Sequence, residues 1–182
     1  SEIYTTAQRD PQCHGMGTTI VVVLFHHNLC TIAHVGDSRL YRLRQNTFTQ
    51  VTKDHSLIQE LIDRGLYSAE EAVKNAPKNL VTRAVGIDHD VEVDVGEEAV
   101  YPGDIYMLCS DGLNDMVDDE EIHLTLSKYS ANLAQGAREL VRLANEKGGK
   151  DNISVILVRI LDDFANTRGS SLIKRIKGRF FT

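Results

Sequence analysis

The chain has 182 residues, 42% of them hydrophobic and 25% charged, a balance typical of one globular domain with a sizeable core. Its formal net charge of −6 argues against nucleic acid as the main partner, because a phosphate backbone attracts basic surfaces. Three irregularly spaced cysteines predict neither a disulfide framework nor a zinc ribbon, so we expect a reducing, cytoplasmic location. No apolar run approaches the roughly 20 residues that a membrane-spanning helix needs.

The first third of the chain predicts an antiparallel meander. Residues 1–14 show no periodic pattern and are predicted to form a loop. Three β-type runs follow at residues 18–25, 29–35 and 39–44, with a short fourth at 48–51, and the turns between them have hairpin spacing.

The character of the sequence changes between residues 53 and 86. Ser56 is a good N-cap for a helix that ends at Gly65, and residues 68–71 open a second short helix. Because this mixed block interrupts strand-forming sequence, we interpret it as a flap.

Strands resume in the second half of the chain and are followed by helices. The pattern predicts strands at 91–95 and 104–109, helices at about 118–128 and 131–147, and a closing strand at 152–160. Strands in blocks and helices in blocks, without strict βαβ alternation, predict an α+β fold.

We place the domain at residues 1–161 and a basic tail at 162–182. Basic and apolar residues interleave in the tail, as in Arg168, Leu172, Ile173, Lys174, Arg175, Ile176, Lys177, Arg179, Phe180 and Phe181. An amphipathic basic helix can lie on an anionic membrane or on an acidic protein surface. We favour docking on the acidic surface of the domain itself.

Three aspartates sit in tight turns next to apolar β-type runs: Asp37, Asp111 and Asp151. Carboxylates that rigid backbone holds at strand ends can converge into an all-oxygen pocket. Such a pocket suits Mg²⁺ or Mn²⁺ better than zinc. The alternative for each residue is an ordinary turn or capping aspartate.

Four sequence blocks, at residues 15–19, 35–41, 109–113 and 151–154, together resemble the metal-dependent Ser/Thr protein phosphatases of the PPM (type 2C) family, bacterial type. Their order and spacing match over residues 15–160. The resemblance implies an antiparallel β-sandwich flanked by helices, with the flap at about 53–86. It also implies hydrolysis of phosphoserine and phosphothreonine in proteins, by water activated at a binuclear Mg²⁺ or Mn²⁺ site.

The resemblance also suggests roles for individual residues. Asp111 and Asp151 correspond to ligands of the second metal, and Asp37 to the ligand of a weaker third site beside the flap. Three neighbours are expected to support these ligands from behind: Ser110, Gly112 and Asn152. The substrates implied are phosphoproteins, the products of a Ser/Thr kinase.

The family's first segment carries an aspartate for the first metal and a phosphate-binding arginine, and neither has a counterpart before residue 15. We therefore expect an N-terminally truncated catalytic domain that is inactive by itself, with its catalytic residues unassigned. Missing strands would expose sheet edges, so self-association is also expected. The alternative is a non-catalytic, phosphatase-like scaffold that binds a partner protein.

Two other phosphatase chemistries fail on spacing. A Cys-x5-Arg loop needs an arginine six residues after Cys109, where Asp115 stands. A phosphoaspartyl loop needs an aspartate two residues before Asp111, where Cys109 stands. Arg39 is expected to pair with a carboxylate rather than with phosphate, and for Asn114 and Asp115 a supporting role beside Asp111 and simple solvent exposure both stay open.

Overall fold

Two antiparallel sheets form the body of the molecule in a computed structural model, which describes residues 2–68, 71–72 and 80–165. The strands are β1 (Ile20–His26), β2 (Leu29–Val35), β3 (Arg39–Arg44), β4 (Thr47–Gln50), β5 (Asp94–Ala99), β6 (Ile105–Cys109) and β7 (Val155–Arg159). One sheet has the order β1-β2-β5 and the other the order β4-β3-β6-β7.

Two-residue turns close the β1–β2 and β3–β4 hairpins. His27 and Asn28 between β1 and β2 have φ of 48° and 58°, and Gln45 and Asn46 between β3 and β4 have φ of 46° and 66°. Successive residues with positive φ twist the chain in the sense that antiparallel neighbours need. The two predicted hairpins are thus confirmed, but a single meander through all four strands is wrong, because the chain crosses from one sheet to the other between β2 and β3.

Five α-helices and a short 3₁₀ helix (Pro11–Cys13) have described bounds. The α-helices are α1 (Glu2–Arg9), α2 (Leu57–Asp63), α3 (Asp111–Asn114), α4 (Asp119–Lys128) and α5 (Leu133–Glu146). Ser56 caps α2 as predicted, because its side chain accepts a hydrogen bond from the Gln59 amide. Helices α4 and α5 confirm the two helices predicted in the second half.

The loop predicted for residues 1–14 is wrong, since α1 occupies most of it. Ile3 packs against Gly86, the ring of Tyr4 lies edge-on to His89, and Ala7 is buried. This apolar stripe spans only two turns, too short to stand out from the sequence as a helical period.

Strand β5 is displaced from its predicted position at 91–95. It pairs with β2 from Asp94 to Ala99. The charged residue Glu98 stands at an inward-facing position, so this segment lacks the alternation of apolar residues from which a strand is predicted. That carboxylate accepts hydrogen bonds from Arg42 and Tyr106, which satisfy its charge between the two sheets.

The two faces of the four-stranded sheet explain the layers. Leu40 and Tyr106 face the other sheet and pack with Cys30 and Ile32. Alternate residues of β3 and β6 face the helices and pack in a second cluster: Tyr41, Leu43, Ile105, Met107 and Cys109, with Leu113, Val117, Ile122, Leu126, Leu140 and Ala144. The result is an α+β sandwich, as predicted, with α3, α4 and α5 packed on the four-stranded sheet.

Two predicted regions fall largely outside the described residues. In the flap, Ser68 and Glu71 exchange the hydrogen bonds of a capping box, but residues 69–70 and 73–79 are not described. In the tail, Phe164 packs on the β1–β2 hairpin, and residues 166–182 are not described. The domain boundary at 161 stays a prediction. No helix among the described residues is long and apolar enough to cross a bilayer.

Candidate metal centre

Strand register brings the three turns that carry Asp37, Asp111 and Asp151 to one end of the sandwich. Arg39, at the start of β3, lies opposite Cys109 at the end of β6. Cys109 in turn lies opposite Val155 at the start of β7. The three aspartates lie in the turns just beyond this row, so they meet at the same edge.

The three aspartates line one cavity of about 390 Å³. The other residues of its wall are Arg39, Asp54, Ser56, Ile58, Gly112, Asn114, Asp115, Met116 and Lys150. The sequence analysis anticipated the convergence of Asp37, Asp111 and Asp151. It gave no indication that Asp54 and Lys150 join them, because both positions depend on how α2 and the β7 turn fold back over the sheet edge.

Negative charge accumulates at Asp37. Burial, and next to it the charge of Asp111, raise the pKa of Asp37 to about 6; a backbone hydrogen bond lowers it in part, and Asp54 and Asp115 make smaller contributions that raise it. Within the described part of the chain, none of Asp37, Asp111 and Asp151 forms an ion pair with a basic side chain. A half-buried carboxylate in this setting is stabilised in its charged form by a bound cation.

The loops that carry Asp111 and Asp151 are fastened directly to each other. Ser110 Oγ donates to the Asn152 carbonyl at 2.9 Å and accepts from the Ser154 amide at 3.0 Å. A Cβ added to Gly112 would lie 2.4 Å from that carbonyl oxygen. Ser110, Gly112 and the Asn152 backbone therefore set the spacing between the two aspartates.

Arg39 pairs with a carboxylate, as expected. Its guanidinium donates to both oxygens of Asp54, with Nη2 at 2.7 Å from Oδ2, and to the Tyr41 hydroxyl at 2.8 Å. These bonds engage all three guanidinium nitrogens, which favours a structural role for Arg39 over phosphate binding. Lys150 is the remaining basic residue on the wall of the cavity as described.

Cys109 is unsuited to nucleophilic chemistry. Its thiol is buried against the helices, and burial raises its pKa to about 12, well above the range of reactive cysteines. This agrees with the exclusion made from sequence spacing.

A second polar cluster, formed by His34, His55 and Asp94, lies outside the carboxylate cavity. Their ligand-type atoms lie within 4.8 Å of one another, close enough for a metal to be considered. The two imidazole rings are stacked, however, with centroids 4.7 Å apart and planes inclined by 18°. Lone pairs in nearly parallel, stacked planes do not converge on one ion.

The polar atoms of this cluster also have partners already. His34 Nε2 lies 2.9 Å from the Lys53 carbonyl, and Arg83 donates to Asp94 Oδ1 at 2.7 Å. Although burial raises the pKa of Asp94, the hydrogen bonds from Arg83 and His55 lower it below its ordinary value. Because its groups are stacked and hydrogen-bonded, the cluster is better suited to holding neighbouring segments together than to binding a metal.

Comparison with known proteins gives a family for this arrangement. A family model described as Protein phosphatase 2C matches residues 1–61. The chain is 38% identical over 169 residues to the serine/threonine protein phosphatase PstP of Mycobacterium tuberculosis, a match that covers 92% of this chain and 32% of PstP. It is 41% identical over 157 residues to the serine/threonine phosphatase stp of Listeria welshimeri, covering 86% of this chain and 62% of that relative.

Solved structures agree. The crystal structure of M. tuberculosis PstP/Ppp superimposes with a TM-score of 0.83 at 38% identity, over 89% of this chain and 68% of that one. The PstP catalytic domain in complex with two manganese ions superimposes with a TM-score of 0.79 at 39% identity, over 89% and 66% of the two chains. The chain spans less than two thirds of the length of the curated relatives PstP and stp. On both sequence and fold, it belongs to the protein phosphatase 2C (PPM) family of serine/threonine phosphatases, bacterial type.

Proposed function

We propose that Asp37, Asp111 and Asp151 bind Mn²⁺ or Mg²⁺, and that the protein containing them hydrolyses phosphoserine and phosphothreonine in other proteins. The observation that carries this proposal is the single cavity in which the three carboxylates meet without a basic partner among the described residues. Their donor atoms are all oxygens, which fits a hard divalent cation.

The three aspartates are suited to bind two cations in pairs. Asp111 and Asp151 lie on loops that Ser110 and Gly112 hold together, which suits them to share one cation. Asp37 faces Asp111 from the β2–β3 turn, which suits these two to share another. When bound, the cations supply an activated water and screen the charge of the phosphoryl group.

Lys150 is suited to attract the phosphate. It is exposed on the wall of the cavity, next to Asp151, and forms no ion pair with another described residue, whereas Arg39 is held by Asp54. An ammonium group here would raise the local concentration of an anionic substrate.

The cation site is tested by Mn²⁺ titration of this chain, followed by calorimetry and by the EPR signal of free Mn²⁺. Asp111→Asn is expected to weaken binding at least tenfold, because it removes the carboxylate between the other two. The matched control is Asp90→Asn, which removes an equal charge from a fully exposed loop position. Absence of binding, or equal effects of the two substitutions, would overturn the proposal.

Hydrolysis is tested on the full-length gene product with p-nitrophenyl phosphate and a phosphothreonine peptide. We expect Mn²⁺-dependent turnover that Asp111→Asn and Asp151→Asn abolish and Asp90→Asn retains. A protein that binds Mn²⁺ through Asp111 yet hydrolyses neither substrate would instead be the non-catalytic scaffold.

The biological setting that we propose is cytoplasmic signalling, in which the substrates are products of a Ser/Thr kinase. Free thiols at Cys13, Cys30 and Cys109 are compatible with a reducing compartment. We also propose self-association of the isolated chain, because the outermost strands β1, β4, β5 and β7 each have one neighbour within the described residues, and Ile20 and Val22 on β1 and Val95 on β5 are exposed. A strictly monomeric chain in light scattering would contradict this.

A further inference from the structure

The turn that carries Asp37 depends on one buried histidine. His55 brackets Gly36 with two hydrogen bonds: its amide donates to the Gly36 carbonyl at 3.0 Å, and its Nδ1 accepts from the Gly36 amide at 3.0 Å. Both polar backbone groups of the residue before Asp37 are therefore bound by a single residue from another segment.

Gly36 has little freedom to relax against this bracket. Its φ is +104°, and a Cβ at this position would lie 2.3 Å from Thr19 Cγ2. The Gly36 backbone is thus confined between Thr19 on one side and His55 on the other. The direction in which the chain leaves Gly36 fixes the place of the Asp37 carboxylate.

The hydrogen bonds also define which nitrogen of His55 carries the proton. A backbone amide can only donate, so Nδ1 must be the unprotonated nitrogen, and the proton of the neutral ring lies on Nε2. Nε2 lies 3.4 Å from Asp94 Oδ1 and 3.1 Å from Arg83 Nη1. Arg83 Nη1 also donates to Asp94 Oδ1 at 2.7 Å, and this carboxylate is the acceptor within reach of a proton on Nε2.

We propose that His55 is a positioning residue for Asp37: through Nδ1 it fixes the Gly36 amide and so sets the Asp37 carboxylate toward the cation that Asp111 shares. This inference rests on the proposed function, because it takes Asp37 as a ligand. His55 does not contact the cation or the substrate in this role. Its contribution is to remove the freedom that the Asp37 turn would otherwise have.

The chain offers a matched set of substitutions that separates this role from simple packing. An Asn side chain can place an oxygen near the position of Nδ1, and a Gln side chain can reach the position of Nε2. His55→Asn therefore retains an acceptor for the Gly36 amide, whereas His55→Gln retains only the contact with Asp94. His34→Gln is the control, because His34 stacks on His55 and is equally buried but bonds to the Lys53 carbonyl.

The readout is the affinity for Mn²⁺, measured by EPR on the purified chain, with Asp37→Asn identifying the binding that depends on Asp37. We expect His55→Gln to weaken that binding about tenfold, the size typical for residues that orient a ligand. His55→Asn and His34→Gln should stay within about threefold of the original chain, well inside that typical range. Equal losses in His55→Gln and His34→Gln, or no loss in His55→Gln, would overturn the inference while leaving the cation site in place.

Two further outcomes keep the inference separate from the proposed function and from misfolding. If the original chain binds no Mn²⁺, or binds it equally after Asp37→Asn, the site itself fails and the inference fails with it. If His55→Gln does not fold, long-range ¹H–¹⁵N spectra of the original chain give the tautomer of His55 directly. A proton on Nδ1 in those spectra would exclude the hydrogen bond from Gly36 and overturn the inference.

Discussion

Carboxylates in two regions of this molecule are treated in opposite ways. Between the sheets and at their rim, Asp104 is paired with Arg44, and Glu98 with Arg42 and Tyr106. At the sheet edge, Asp37, Asp111 and Asp151 gather in one cavity and have only backbone donors among the described residues. The first arrangement is complete within the chain, and the second is complete only with a cation.

The largest loss of stability is expected for a carboxylate that already has a basic partner. Asp104→Asn should lower the free energy of unfolding by about 3 kcal/mol, because it leaves the Arg44 guanidinium without its buried partner. Asp111→Asn in metal-free buffer should change it by less than about 0.5 kcal/mol or raise it, since it relieves repulsion with Asp37. Urea unfolding of both variants measures the contrast. Equal losses would show that the two sets of carboxylates do not differ.

The second prediction, of a smaller loss of stability, concerns the close contact between Gly112 and the Asn152 carbonyl. It tests whether this contact, and no ion pair, holds the two loops of the cavity together. Gly112→Ala should cost about 2 kcal/mol and weaken Mn²⁺ binding, because the new methyl group must push the Asn152 carbonyl away. Gly96→Ala in β5 is the control, since a Cβ there meets nothing within 4 Å. Thermal unfolding and calorimetry give both quantities. Unchanged Mn²⁺ affinity in Gly112→Ala would mean that the spacing of the two loops is not critical.

The smallest expected effect is the dependence of stability on pH. The pKa of Asp37 is about 6 in the folded chain and near 4 in an unfolded one, so its contribution to stability is present below pH 4 and is lost as the pH rises through 6. At pH 7.5, where Asp37 is charged, the free energy of unfolding of Asp37→Asn should exceed that of the original chain by about 1 kcal/mol. This figure allows for solvent screening of a half-buried group. Denaturant unfolding at several pH values without metal measures it, and saturating Mg²⁺ should reverse it. A difference that does not vary with pH would argue against the crowding of charge at Asp37.

Much of the fold follows from local patterns in the sequence. The two hairpins were predictable because β-branched runs and two-residue turns are encoded next to each other, and α4 and α5 because each is long enough to show its period. The crossing from one sheet to the other between β2 and β3 was not predictable, because it depends on which distant strands, β5 and β6, pair with them. Helix α1 and the true bounds of β5 were not predictable. The first has an apolar stripe of only two turns, and the second carries Glu98 in an inward position that only Arg42, from another strand, makes tolerable.

The candidate site shows the same division. Asp37, Asp111 and Asp151 could be singled out because each stands at the end of a recognisable strand. Asp54 and the bracket by His55 could not, because they depend on how the segment after β4 folds back onto the β2–β3 turn. Contacts between segments distant in sequence leave no periodic signal in either segment.

The ladder that sets the register of Cys109 and Val155 belongs to the hydrophobic core and also fixes the distance between Asp111 and Asp151. Cation binding and the cooperative unfolding of the sheet therefore depend on the same strand pairing. On heating, Mn²⁺ should leave at the temperature at which the sheet itself comes apart, with no earlier loosening of the ligand loops.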